Sequence, residues 1–99
     1  MKIDESIDIK VNEGVYSPDE DSYLLIDILK VDNDDEVLEI GVGSGIISLH
    51  CAKQGAHVTS VDKSERALEN TRKNAELNDI DLNLKKSDLF KEIKDKYDV

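Results

Sequence analysis

Val37-Leu38-Glu39-Ile40-Gly41-Val42-Gly43-Ser44-Gly45 decides the fold. Four residues of mostly apolar strand run straight into three glycines at alternate positions. A nearly continuous apolar strand is what a parallel sheet covered on both faces requires. Glycines there let the chain turn sharply and let its backbone approach a ligand. Downstream, Ile46, Ile47, Leu49 and Ala52 predict a helix that stops at Gly55. His57 to Asp62 is rich in β-branched residues and predicts a second strand. Ser64 caps a further helix with an inner face of Ala67, Leu68, Thr71 and Ala75, ending near Asn78. A third strand begins at Leu82 and reaches Asp88. A short helical or irregular piece follows from Leu89 to Lys94, and a fourth strand starts at Tyr97-Asp98-Val99. Strands alternating with helices predict an α/β fold with a parallel sheet and right-handed crossovers.

Upstream, Ile7, Ile9 and Val11 alternate with polar residues and predict a short half-buried strand. Ser17-Pro18-Asp19-Glu20 predicts a helix start, with Ser17 as cap, Pro18 first in the helix and Glu20 closing a capping box. Leu24, Leu25, Ile28 and Leu29 then form an apolar stripe to about Lys30. Asp32 to Glu36 is a solvated acidic turn. The 99 residues make one domain at most, an N-terminal strand and helix segment over 1–35 and a glycine-loop βαβαβ core over 36–99.

Composition narrows the function. Thirteen Lys+Arg against 23 Asp+Glu leave a formal charge of −10. That disfavours nucleic acid, which needs clustered cations, and anionic lipid surfaces. One cysteine excludes an internal disulfide and a cysteine-based zinc site. Cys51 reads as a small core residue, and His50 and His57 as surface or helix-end residues rather than ligands. No metal site is expected. Without a spanning apolar run or a signal-peptide core, the expected location is the cytoplasm.

The candidate site lies at the carboxyl ends of the strands, where open α/β sheets bind ligands. The dinucleotide fingerprint places its third glycine three residues after the second. Here that place holds Ile46, and the glycine comes one residue early, at Gly45. Glu39, two residues before Gly41, would repel a pyrophosphate and pair with a cationic amino group. The combination of Glu39, Gly41, Gly43 and Gly45 favours S-adenosylmethionine. Asp62, 17 residues after Gly45, stands near the spacing at which an acid accepts from ribose hydroxyls, with Lys63 beside it. Its plainer role is to cap the helix at Ser64. Asp88 would accept from the adenine amine while Leu89 packs on the ring. Tyr16, Pro18, Asp21 and Ser22 belong to a helix start that would close over the methionine end.

These residues resemble the cofactor half of a class I S-adenosylmethionine-dependent methyltransferase with a Rossmann-like sheet. Residues 14–25, Gly-Val-Tyr-Ser-Pro-Asp-Glu-Asp-Ser-Tyr-Leu-Leu, are similar to the Val-Tyr-x-Pro-x-Glu-Asp-Ser-x-Leu-Leu signature of the HemK-type branch of archaea and eukaryotes. The resemblance implies methylation of the glutamine side-chain amide of a peptide-chain release factor. It also implies a small zinc-binding activator subunit as a partner. In that family an Asn-Pro-Pro-Tyr motif after the fourth strand holds the amide nitrogen. No such motif occurs in these 99 residues. The chain therefore reads as an N-terminal fragment, the sheet truncated after three strands and the start of a fourth, with no catalytic residue of its own and marginal stability. Two other readings remain open: a nucleic-acid adenine methyltransferase, which uses similar geometry, and a non-catalytic cofactor-binding or interaction module. A nicotinamide dehydrogenase is opposed by both Ile46 and Glu39.

Overall fold

The computed structural model describes residues 1–87 and residue 99. Among them the elements run α1 (Glu20–Ile28), β1 (Glu36–Ile40), α2 (Ile46–Lys53), β2 (His57–Asp62), α3 (Glu65–Leu77) and β3 (Asn83–Lys86). The strands form one parallel sheet in the order β1-β2-β3. Successive strands step in one direction, so right-handed crossovers put α2 and α3 on the same face. Register follows from the pleat. Val37 pairs with Val58 and Glu39 with Ser60, and these point towards α2. Leu38, Ile40, Thr59 and Val61 lie on the opposite face.

Val99 sits on the other edge of β1. Its N–H donates to the Glu36 carbonyl at 3.2 Å, and its carbonyl accepts from the Leu38 N–H at 2.8 Å. Bonding to residues either side of one partner is the parallel pattern. Val99, the last residue of the expected fourth strand, thus bonds in the parallel sense to the edge of β1 that β2 leaves open. Tyr97, Asp98 and the piece from Leu89 to Lys94 lie outside the described residues.

The core is apolar where periodicity predicts it. Val37, Cys51 and Val58 pack with Val31 between β1, β2 and α2. Ala67, Leu68, Thr71 and Ala75 of α3 are buried, as expected. Ser64 caps α3 by accepting from the Ala67 N–H at 3.3 Å. Gly55 follows α2 with φ +97°, the left-handed stop.

Three expectations need correction. Residues 7–11 are extended but belong to no strand of the sheet. Ile7 is buried against Leu49 and Ala75, with Ile9 partly buried beside it, which accounts for the alternation there, while Val11 is exposed. Alternation reports one buried face of an extended chain, whatever pairs with its backbone. Here the partners are asparagine side chains of α3.

Helix α1 starts later than expected. Asp19, not Ser17, is the N-cap, and its carboxylate accepts from the Ser22 N–H at 3.1 Å. Pro18 therefore precedes the helix. Both Ser17 and Asp19 suit a cap, and the structure uses the one nearer the apolar run. The expected stripe is also wrong in phase. Leu24 and Ile28 are 60% and 65% exposed, whereas Ile26 is fully buried.

His50 stands in the last turn of α2, the helix-end placement expected, but is buried rather than at the surface. Its Nε2 accepts from the Asp4 N–H at 3.0 Å, so Nδ1 carries the proton and donates to the Ile46 carbonyl at 2.8 Å. The ring anchors the N-terminal segment to α2, and both its nitrogens are engaged.

Candidate functional site

The carboxyl ends of β1 and β2 open into a cavity of about 410 Å³. The size is ordinary for a small-ligand site. Its floor is the loop from Gly41 to Ser44, one wall is Asp62, Ser64 and Ala67, and the other is the segment from Gly14 to Asp19. A larger depression of about 850 Å³ lies at the amino ends of the strands, around Glu36, His57 and Asn83. We assign the site to the smaller cavity, because parallel sheets bind ligands at their carboxyl ends and the glycine loop is there.

The loop is shaped by backbone conformation. Gly41, Gly43 and Gly45 have φ of +78°, +56° and +90°, which side-chain-bearing residues rarely adopt. Nothing lies within 4 Å of where a Cβ would stand on Gly41 or Gly43. The space beside both is open to a ligand. Gly45 is different: a Cβ there would stand 2.7 Å from Cγ2 of Thr71. Two glycines make room for a ligand, and the third makes room for α3.

Glu39 points from β1 towards the start of α2. Its Oε1 accepts from the Ser48 N–H at 3.1 Å and from Ser48 Oγ at 2.5 Å. Ser48 Oγ in turn accepts from Ser60 Oγ at 2.7 Å. Burial pushes the Glu39 carboxyl up to about 7, the Ser48 bonds hold it back, and the neighbouring Asp62 charge adds to the rise. A cation in the cavity would favour its ionised form. Asp62 uses Oδ1 to accept from the Ser64 N–H at 2.8 Å, the capping role expected as its plainer one. It also lines the cavity beside Glu39 and Asp19. Three carboxylates around one cavity suit a cationic ligand and oppose a phosphate.

The other expected site residues divide. Tyr16, Pro18 and Ser22 line the cavity with Glu39, Gly41, Gly43 and Asp62. Tyr16 is 93% exposed at its rim. Asp21 and Lys63 are exposed and do not line it, and Gly45 stands behind it against Thr71. Asp88 and Leu89 lie outside the described residues. Residues not expected at the site also take part. Ile46 and Ile47 supply apolar lining. Thr71 Oγ1 donates to the Gly43 carbonyl at 3.0 Å, and Asn74 Nδ2 to the Ser44 carbonyl at 2.8 Å. The signal was Asn70, Asn74 and Asn78 recurring every four residues on one helix.

Residues 6–99 match the family model of the methyltransferase small domain. The chain belongs to that family. A putative protein N5-glutamine methyltransferase from Methanocaldococcus jannaschii is 43% identical, over 96% of this chain and 49% of its own. The release factor glutamine methyltransferase of Streptococcus pneumoniae is 40% identical, over 92% of this chain and 34% of its own. The chain thus spans half or less of the length of these methyltransferases. Among solved structures, the ribosomal protein L11 methylase of Lactobacillus delbrueckii subsp. bulgaricus aligns with a TM-score of 0.73 and 28% identity, over 91% of this chain and 49% of that one. A Pyrococcus abyssi tRNA (uracil-54, C5)-methyltransferase in complex with S-adenosyl-L-homocysteine aligns with a TM-score of 0.72 at 21% identity, over 88% and 22%. These likenesses bear out the Rossmann-like class I methyltransferase sheet expected from the glycine loop.

Proposed function

We propose that this chain is the S-adenosylmethionine-binding half of a protein-glutamine methyltransferase whose acceptor is a peptide-chain release factor. The observation that carries the reading is the cavity itself: a glycine loop open at Gly41 and Gly43, ringed by Glu39, Asp62 and Asp19. That donor set fits the cofactor, which carries an ammonium, a sulfonium and ribose hydroxyls but no phosphate. The names of the relatives from Methanocaldococcus and Streptococcus support the acceptor.

In this reading Glu39 holds the ammonium, and the carboxylate of Asp62 accepts from the ribose hydroxyls. The glycine loop lets the ligand lie against bare backbone. Tyr16, Ser17 and Pro18 close the methionine end and exclude water. Bound there, the cofactor supplies an electrophilic methyl group on sulfur, so catalysis is mainly a matter of position. The Asn-Pro-Pro-Tyr motif that would hold the acceptor amide is absent from these 99 residues, so we assign cofactor binding to this chain and no catalytic residue. We further propose a cytoplasmic location and a small zinc-binding activator as partner. Adenine methylation in nucleic acid is the less favoured reading, since a charge of −10 repels phosphates.

Calorimetric titration of the chain with S-adenosyl-L-homocysteine tests the cofactor, with NADH as comparison. Saturable binding of the former alone is expected, and binding of NADH instead would overturn the reading. Transfer of labelled methyl groups to a release factor, by a whole enzyme carrying this segment, tests the acceptor.

A further inference from the structure

The inner face of α3 and its C-cap carry three carboxamides four residues apart, Asn70, Asn74 and the capping Asn78. The N-terminal segment runs along them in the opposite direction. Oδ1 of Asn78, Asn74 and Asn70 accepts from the backbone N–H of Asp8, Lys10 and Asn12 at 2.7, 2.9 and 2.7 Å. Nδ2 of Asn78 donates to the Asp8 carbonyl at 2.7 Å, and Nδ2 of Asn74 to that of Lys10 at 2.9 Å. The repeats nearly match: four helical residues rise about 6 Å, and two extended residues about 6.6 Å. The drift is visible at the third rung, where Nδ2 of Asn70 reaches back to the Lys10 carbonyl at 2.7 Å.

The middle rung does more than the others. Asn74 is fully buried, and its second amide hydrogen goes to the Ser44 carbonyl at 2.8 Å. One carboxamide therefore bonds both the segment that leads to Tyr16 and the loop that floors the cavity. Thr71, one turn earlier, ties the adjacent Gly43 carbonyl. A trans peptide sets N–H opposite C=O, so tying the Gly43 carbonyl to α3 turns the Ser44 N–H away from it.

We propose that Asn74 is a positioning residue that locks the glycine loop to the N-terminal segment, so that the floor and one wall of the cavity open and close together. The lock itself is independent of any ligand; its consequence for cofactor affinity rests on the function proposed above. Asn78 provides the contrast, since it holds the segment without touching the loop.

The test is amide hydrogen exchange on the ligand-free chain, read at Asn12 and Gly45. Neither amide bonds to Asn74: they donate to Asn70 Oδ1 and to the Val42 carbonyl. N74A should raise exchange at both amides by a similar factor, roughly tenfold, whereas N78A should leave Gly45 unchanged. Unchanged exchange at Gly45 in N74A would overturn the lock. If N74A does not fold, amide exchange of the ligand-free wild-type chain in rising, sub-denaturing urea decides the matter. Asn12 and Gly45 then exchange with the same opening free energy and urea dependence if the loop and the segment are coupled, and with different ones if they are not. Affinity separates the two proposals. If the wild-type chain does not bind S-adenosyl-L-homocysteine, the cofactor reading falls while the exchange result still judges the lock. If it binds, N74A should weaken binding roughly tenfold and N78A less than half as much on a logarithmic scale. Equal losses would overturn the coupling.

Discussion

Ser48 gives Glu39 two hydrogen bonds on one oxygen, from its N–H at 3.1 Å and its Oγ at 2.5 Å. The pair joins the end of β1 to the first turn of α2 across the floor of the candidate site. Even with these bonds, burial holds the Glu39 carboxyl at about 7 instead of 4.5. Two consequences follow for pH, and they have opposite signs.

Ligand binding should strengthen as pH rises. If an ammonium pairs with Glu39, it requires the carboxylate, which forms in the free protein only near pH 7. Affinity for S-adenosyl-L-homocysteine should therefore increase from pH 6 to pH 8, and E39Q should be weaker and lose that slope. Calorimetry across this range measures it. An equal slope in E39Q would assign the titration to another group.

Stability of the ligand-free chain should fall over the same window. Below about pH 4.5 Glu39 is protonated in both folded and unfolded states. Between 4.5 and 7 the unfolded chain ionises it while the folded one retains the proton, so unfolding is favoured as pH rises. Above 7 the penalty is constant, at most roughly 3 kcal/mol. Asp4 shifts the other way, to about 2, through its bonds from Ser6 and Lys53, and so acts below this window. Urea unfolding of wild type and E39Q at pH 5 and pH 7.5 should show a smaller loss in the variant.

The glycines of the loop should separate in their costs. G41A imposes only the left-handed backbone on alanine, about 1–2 kcal/mol, because its Cβ meets nothing within 4 Å. The same Cβ would face the space offered to a ligand, so affinity should suffer more than stability. G45A adds a collision with Thr71 Cγ2 at 2.7 Å, for a total of about 2–4 kcal/mol. T71S, which removes that methyl, should recover part of the loss in a G45A background. Thermal unfolding of the two single variants and the double variant decides it; equal costs for G41A and G45A would contradict the close approach of α3.

Much of this was legible in the sequence because the relevant signals are local. Gly41, Gly43 and Gly45 need φ values that the residue type announces, and Ser64 and Asn78 bound α3 by their own side chains. The N-terminal half was less legible because its partners are distant in sequence. Ile7, Ile9 and Val11 alternate with polar residues, but that pattern cannot reveal that the backbone pairs with carboxamides about 60 to 70 residues away. The four-residue spacing of Asn70 and Asn74 is visible in the sequence, but their burial is not, since burial of an amide is legible only once its partners are known. Asp62 carries a helix-capping bond and a cavity position at once, and the sequence could offer these only as alternatives.

Asp62 should therefore show both roles. D62A removes the acceptor for the Ser64 N–H, which costs stability by about 0.5–1 kcal/mol. If the carboxylate also accepts from ribose hydroxyls, affinity for S-adenosyl-L-homocysteine should drop roughly 10- to 100-fold. A loss of stability with unchanged affinity would leave the cap as its only role.

The phase of α1 supplies the last prediction. The stretch Leu24-Leu25-Ile26-Asp27-Ile28-Leu29 is so apolar that several stripes fit it, and periodicity selects the one with Leu24 and Ile28 inside. The structure instead buries Ile26 completely and leaves Leu24 and Ile28 60% and 65% exposed. The cap at Asp19 and the unwinding at Leu29 fix where the helix begins and ends, and its rotation follows from packing on α2 rather than from counting apolar residues. Truncating a fully buried isoleucine removes its transfer energy and leaves a cavity, so I26A should cost about 2–5 kcal/mol. L24A and I28A should each stay within about 0.5 kcal/mol of wild type. Urea unfolding of the three variants separates the two phases. If I28A proves as costly as I26A, Ile28 is covered in solution, and the helix either turns to the phase the periodicity favoured or packs its outer stripe against another surface.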